Sequence, residues 1–333
     1  MKNAKELIYY ASKAPSGHNS QPWKFSIQEN SIEIHPDFKF SLPVVDPKNR
    51  EMYISLGCAA ENLCVASSTY GYKASMQVHK DSNETHMIRV HLKSSHEKTH
   101  KNTLENIHNR QTNRSVYKGT IVQNSILNQL RELPAEENVR VHFFKNGDPS
   151  FSILSDLIKK GNDLQMKDEG FKDELLSWIR FNKRHVEETN SGLSYKVMSA
   201  PPMPAFIGKR IVKSFLTPEK QNKADLEKIK SSSHFVLLTT KNNSPEEWIR
   251  SGIFLERFLL KMSSLDIASA FLNPPCELES LTGEMQNTLP INEEVPTLIL
   301  RIGYAREMPY APRKIVEDVI DTTQTPSAPR ISS

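Results

Sequence analysis

Two long apolar segments of this chain carry the same short pattern at a fixed distance. Gly57-x3-Glu61-x-Leu63 recurs as Gly252-x3-Glu256-x-Phe258, each position 195 residues after its counterpart. Around the first copy, Leu56, Ala59, Ala60, Leu63, Ala66 and Ser67 fall at helical spacing from Ser55 to about Tyr70, and Gly71 follows as a stop. The second copy lies in a helical stretch from Trp248 to Ser264. Strand-like sequence precedes each copy, and another strand follows. A matched context at constant offset predicts two related halves that pack about a pseudo-twofold, like a fused homodimer.

The other elements fit that division. A first helix is expected from Asn3, with Asn3 as its cap and Glu6 reaching back in a capping box. Leu7, Tyr10, Ala11 and Ala14 form its apolar stripe, and Pro15-Ser16-Gly17 ends it. Trp23 to Ile27 and Ser31 to His35 alternate like strands around a turn at Glu29-Asn30. Further strands are expected at Ser75 to Val78, Met87 to Leu92, Val139 to Phe144, His234 to Thr240 and Val295 to Ile302. Short helices are expected near Thr103 to Asn109 and around Ile126, Leu127 and Leu130. Helices and strands thus alternate irregularly, which predicts an α+β chain with mixed or antiparallel sheets flanked by helices. The expected division is residues 1–100 for the first half and 101–321 for the second. A lid-like insertion, broken by Pro201-Pro202-Met203-Pro204, is expected at about 160–230, and a flexible tail at 322–333.

Composition narrows the function classes. The 43 basic and 39 acidic residues are interspersed, which does not make the clustered basic face of a nucleic-acid binder. The three cysteines, Cys58, Cys64 and Cys276, are too few and too scattered for a disulfide framework and suit a reducing compartment. Met1 to Lys5 lacks the features of a signal peptide, and no apolar run approaches a membrane span. A cytoplasmic protein with no nucleic-acid or membrane partner is expected. His96-Glu97-x-x-His100 matches a zinc-protease pattern, but its neighbours Lys93, Ser94, Ser95 and Lys101 offer no apolar face to bury, so it is taken as a solvated linker and no metal is expected. No glycine-rich dinucleotide or phosphate loop occurs, so a dedicated nicotinamide domain is not expected.

Three segments could carry chemistry. Pro15-Ser16-Gly17-His18-Asn19-Ser20-Gln21-Pro22-Trp23 places a hydroxyl, an imidazole, two carboxamides and an indole between a helix and a strand. Carboxamides both donate and accept, which suits the edge of a planar heterocycle; the alternative is a capping loop with a packed Trp. In extended Arg110-Gln111-Thr112-Asn113-Arg114, positions 110, 112 and 114 point to one side and could clamp a phosphate; the alternative is a pair of solvated arginines. Ala311-Pro312-Arg313-Lys314 alone is a basic turn.

Together these segments resemble the nitroreductase family of FMN enzymes, whose phosphate motif, Asn-x-Gln-Pro-Trp loop and late arginine are matched by Arg110-x-Thr112-x-Arg114, Asn19-x-Gln21-Pro22-Trp23 and Arg313. Asp46-Pro47-x-x-Arg50-Glu51, Gly57 to Leu63 and Arg301-Ile302-Gly303-Tyr304 add to the match. The order is similar to the Acg-type branch of single-chain, duplicated nitroreductase-like proteins. The resemblance implies FMN held at its phosphate by Arg110, Thr112 and Arg313, with Arg114 at the pyrimidine edge. Ser16, His18 and Asn19 would reach it from the other half, and the Asn273 to Glu277 loop, with Pro275, would pass its reactive edge. It implies a monomer acting as a fused dimer with one site. The implied reaction is reduction of nitroaromatic or quinone-like acceptors, with NAD(P)H as a possible donor, and names no catalytic side chain. The alternative is a non-catalytic protein that sequesters flavin. Thr112 replaces the family's usual serine, and each motif occurs once.

Overall fold

In the computed structural model, which describes residues 1–95 and 102–321, two four-stranded sheets flank two 20-residue helices, Arg50–Thr69 and Pro245–Ser264. The first sheet contains β1 (Trp23–Ile27), β2 (Ser31–Pro36), β3 (Tyr72–Lys80) and β4 (His86–Ser94). The second contains β5 (Val139–Lys145), β6 (His234–Thr240), β7 (Ala268–Phe271) and β8 (Val295–Gly303). The spatial orders are β1-β2-β4-β3 and β5-β6-β8-β7, with every neighbouring pair antiparallel. Each sheet therefore runs first, second, fourth, third, and each inserts its long helix between second and third. Two sheets of one topology around two matched helices make the duplication a property of the fold.

The repeated glycines mark where the two helices cross. A Cβ on Gly57 would stand 2.1 Å from the Ile249 carbonyl oxygen, and one on Gly252 would stand 2.0 Å from that of Ile54. Only glycine lets the backbones approach this closely. The repeated glutamates each take an arginine: Glu61 pairs with Arg257 at 3.0 Å and Glu256 with Arg110 at 3.4 Å. Leu56, Leu63, Ile249, Phe258, Val236 and Leu300 belong to one continuous core that joins the halves.

The halves differ on their outer faces. The edge strand β3 alternates partly buried and exposed residues, as a strand with one wet face does. β6 is buried along its full length, because Phe235 and Leu237 meet the helix Pro149–Gln165 on the far side. A third cluster, with Phe171, Phe181 and Leu216, packs a helical cap that includes Ala205–Phe215.

Several expectations are corrected. Asn3 has the left-handed φ of 66° and its side chain caps nothing, so the capping box is absent. The first long helix starts at Arg50, five residues before Ser55, because Asp46 accepts the Met52 N–H at 3.1 Å and supports an earlier turn. No element is expected between Ser264 and Val295, yet β7 and the helix Glu279–Thr288 lie there. The His96-Glu97-x-x-His100 pattern and the 322–333 tail lie outside the described residues. No described helix is long and apolar enough to cross a membrane.

Candidate functional site: a cavity between the halves

The loop after the first helix is bent by its own backbone. His18, Asn19 and Gln21 all have left-handed φ angles, 48°, 56° and 54°. Three non-glycine residues in that region within four positions need tertiary contacts to hold them. Those contacts come from two distant segments. The Asn19 amide donates to the carbonyls of Gly192 and Pro312, both at 3.0 Å, while its oxygen accepts from Arg313 at 2.9 Å. Gln21 donates to the Asn190 carbonyl and accepts from the Lys314 N–H, both at 2.9 Å. The two carboxamides therefore fasten the loop, and the capping-loop alternative describes their work. Trp23 is fully buried, as that alternative also expects.

The second strip runs beside β7. Thr112 bridges to Ser269, and the Asn113 N–H donates to the Ser269 carbonyl at 2.8 Å. This lays the strip along the second sheet while its start reaches the turn after the first helix, Ala4–Ala11. Arg110 donates to the Lys13 carbonyl at 3.0 Å and pairs with Glu256. Arg313 donates to the same Lys13 carbonyl at 3.0 Å, so two guanidinium groups meet at one point. Burial, and then the charge of Arg110, hold the Arg313 guanidinium down to about 9. Burial pushes the Glu256 carboxyl up to about 7, with Arg110 opposing the rise.

A cavity of about 910 Å³ opens between these parts. Ser16 and His18 line it from the first half, and Arg114, Tyr117 and Arg301 from the second. Of the eight residues expected at a cofactor, Ser16, His18 and Arg114 reach the wall. Asn19, Arg110, Thr112, Pro275 and Arg313 are not among the residues lining it, and Asn19, Arg110 and Arg313 spend their polar groups on the contacts just described. Pro275 is buried beside Pro274, which does line the cavity.

The wall is charged in two patches. Arg114 has no carboxylate within ion-pair reach among the described residues; burial, and then Arg301, pull its guanidinium below the usual range. Arg301 is 1% exposed. One of its terminal nitrogens donates to the Ser115 carbonyl at 2.8 Å, while the other has no partner. Its guanidinium also lies 3.9 Å from the centre of the Tyr117 ring. Burial, and then Arg114, hold the His18 imidazole down to about 4, so the ring is neutral at physiological pH; its Nε2 is enclosed without a partner. At the other patch, Glu51 and Glu277 line the cavity. Asn273 donates to Glu51 at 3.2 Å, and burial followed by Glu51's charge pushes the Glu277 carboxyl well up. Asp46, behind them, rises to about 7 through burial and the same neighbour.

Sequence reasoning met Arg301, Glu51 and Glu277 only inside motifs of the resemblance and gave none of them a role of its own at the site. Arg301 had a signal: it is a charge inside the otherwise apolar run Leu298 to Ile302. Glu51 lies in the Asp46 to Glu51 motif and Glu277 ends the Asn273 to Glu277 loop, both part of the resemblance, but nothing local in the sequence joins position 51 to position 277.

Proteins of similar length match the chain along nearly all of it. No family model matches the chain. A Mycobacterium tuberculosis protein named provisionally as the NAD(P)H nitroreductase acg is 22% identical over 323 residues, covering 95% of this chain and 94% of its own length. A second M. tuberculosis protein with a provisional NAD(P)H nitroreductase name is 21% identical over 321 residues, covering 95% and 90%. Among solved structures, the FMN-dependent nitroreductase NfnB from Mycobacterium smegmatis aligns with a TM-score of 0.39 at 14% identity, covering 62% of this chain and 92% of its own. Across nearly its whole length, the chain is similar to these two proteins with provisional NAD(P)H nitroreductase names.

Proposed function

We propose that the cavity binds FMN and that the chain is a nitroreductase-type oxidoreductase, taking electrons from NAD(P)H for nitroaromatic or quinone-like acceptors. The observation that carries this is the wall formed by Arg114 and Arg301. A buried cation, Arg301, and a partly buried one, Arg114, stand there with no acid partner among the described residues, and Arg301 has a nitrogen left unbonded; both are costly unless an anion joins them. A flavin mononucleotide brings a phosphate and a pyrimidine edge that gathers negative charge on reduction, and the cavity lies within the size range of small-molecule sites.

Bound flavin would supply the electron transfer; the chain supplies position and charge. Arg114 and Arg301 would hold the anionic parts of the cofactor. Neutral His18, with its free Nε2, would offer a hydrogen bond without adding charge. Arg110, Asn19 and Arg313 would act one layer back, holding the first-half loop against the second-half strip; Thr112 and Pro275 belong to that support. Each motif occurs once, so one site per chain is proposed, in a monomer that works as a fused dimer. Residues 1–100 and 101–321 are proposed as its halves. Residues of about 160–230 are the proposed lid, since Val197, Met198, Val212 and Leu216 form part of the cavity wall. The three unpaired cysteines support a cytoplasmic setting.

The test is FMN titration of purified protein followed by absorbance and fluorescence. Arg114→Gln is expected to weaken FMN binding by about 1.5–3 kcal/mol, the scale of a hydrogen bond to a charged group. Unchanged affinity in that variant, at unchanged melting temperature, would remove the proposal. The roofed cavity also supports a second reading, a protein that sequesters flavin. That reading predicts bound FMN that dithionite reduces and NADPH does not.

A further inference from the structure

The cap helix Ala205–Phe215 has two faces with different tasks. Gly208, Val212 and Leu216 turn inward; Val212 and Leu216 line the cavity, and a Cβ on Gly208 would stand 2.2 Å from the Phe181 ring. The outward side is not the polar face such a helix should present to water. Phe206 is 69% exposed and Phe215 58%, with Ile207 and Ile211 also open. Met198, just upstream, is exposed too. Large apolar side chains this concentrated mark an interaction surface.

Charge selects the partner. From Ser191 to Thr217 the chain holds Lys196, Lys209, Arg210 and Lys213 and no acidic residue. Lys213 is taken by Glu169 and Asp173, at 3.2 and 3.3 Å. Lys209 and Arg210 are exposed and have no carboxylate within ion-pair reach among the described residues. A second copy of this face would set those cations against their own counterparts. A surface that is apolar inside and negative at its boundary satisfies both features, and an anionic bilayer is such a surface.

We propose that the outer face of Ala205–Phe215 docks on anionic phospholipid membranes, with Phe206, Ile207, Ile211 and Phe215 in the interface and Lys209 and Arg210 at the headgroups. This departs from the expectation of no membrane partner, because hydropathy detects spans and not a short interfacial helix. Docking would bring the cavity roof to the membrane, so an apolar acceptor dissolved in the bilayer could enter without crossing water. That consequence rests on the flavin reading; the docking itself does not.

The test is co-sedimentation of the full chain with large unilamellar vesicles of phosphatidylcholine alone or mixed with phosphatidylglycerol. Binding is expected to the anionic vesicles, weakened by salt, and little to the neutral ones. The double variants Phe206→Ser/Ile211→Ser and Lys209→Glu/Arg210→Glu are each expected to lower the bound fraction on anionic vesicles about tenfold. All four positions are exposed, so the variants should keep the wild-type melting temperature and FMN uptake. Wild type that stays in the supernatant with anionic vesicles would overturn the proposal, as would variants that sediment like wild type. So would a wild-type dimer in analytical ultracentrifugation that Phe206→Ser/Ile211→Ser turns into monomer, since the face would then serve self-association. Vesicle binding by protein that takes up no FMN would sink the flavin reading and leave the docking intact.

Discussion

Replacing Arg110 by alanine is expected to destabilise the fold by ~3–5 kcal/mol, the range for breaking one partner of a buried ion pair. Arg110 is 6% exposed and Glu256 is fully buried. Without the guanidinium, Glu256 must either stay charged in the core or hold a proton, and the Lys13 carbonyl loses a donor. The cost should depend on pH with a definite sign. The Glu256 carboxyl sits at about 7 in the folded chain against an ordinary value of 4.5. Its contribution is therefore complete below the unfolded value and lost as pH rises through about 7. Removing Arg110 raises the folded value further, so the gap between wild type and variant should widen as pH climbs from mildly acidic to mildly basic. Glu256→Gln should remove the widening. Urea melts at two pH values check this, and a gap that stays constant would show that Glu256 is not the partner that matters. The same variant separates structure from binding, since it should lose stability first and FMN only with the fold.

Gly252→Ala, and likewise Gly57→Ala, is expected to cost about 3 kcal/mol or more, a large effect for one methyl group. The added carbon would stand 2.0 Å from the Ile54 carbonyl oxygen in one case and 2.1 Å from that of Ile249 in the other. Neither obstacle is a flexible side-chain end. The helices would have to separate, and both sheets pack on them, so overpacking would spread into the core that joins the halves. Thermal denaturation is the measurement. A melting temperature within a degree or two of wild type would mean that the helices do not cross at these glycines. Gly283→Ala makes a fair control, as a Cβ there meets nothing within 4 Å.

The elements were legible where one periodicity ran without competition. β1, β2 and β6 match the expected spans closely because their alternating or continuously apolar runs end at clear turns. β7 escaped notice because Ala268, Ser269 and Ala270 carry little strand preference; pairing with β8 decides their conformation. The capping box at Asn3 failed for a related reason. A motif of two residues shows that a cap is possible, and the left-handed Asn3 backbone is set by what the helix packs against.

At the site, the sequence alone brought out three segments that the fold gathers together, but not which of their groups face the cavity. The loop at 15–23, the strip at 110–114 and the turn at 311–314 do converge, since Arg110 and Arg313 donate to one carbonyl and Arg114 lowers the titration of His18. Residue types and their order were enough for that, as was the offset between Gly57 and Gly252 for the duplication. Which polar group faces the cavity and which faces the protein was a matter for tertiary structure alone. Asn19 and Arg114 look equally available in a sequence; one is consumed by Gly192, Pro312 and Arg313, and the other is left with no acid beside it. Hydrogen-bond capacity is local to a residue, but whether it is already spent depends on chain segments hundreds of positions away.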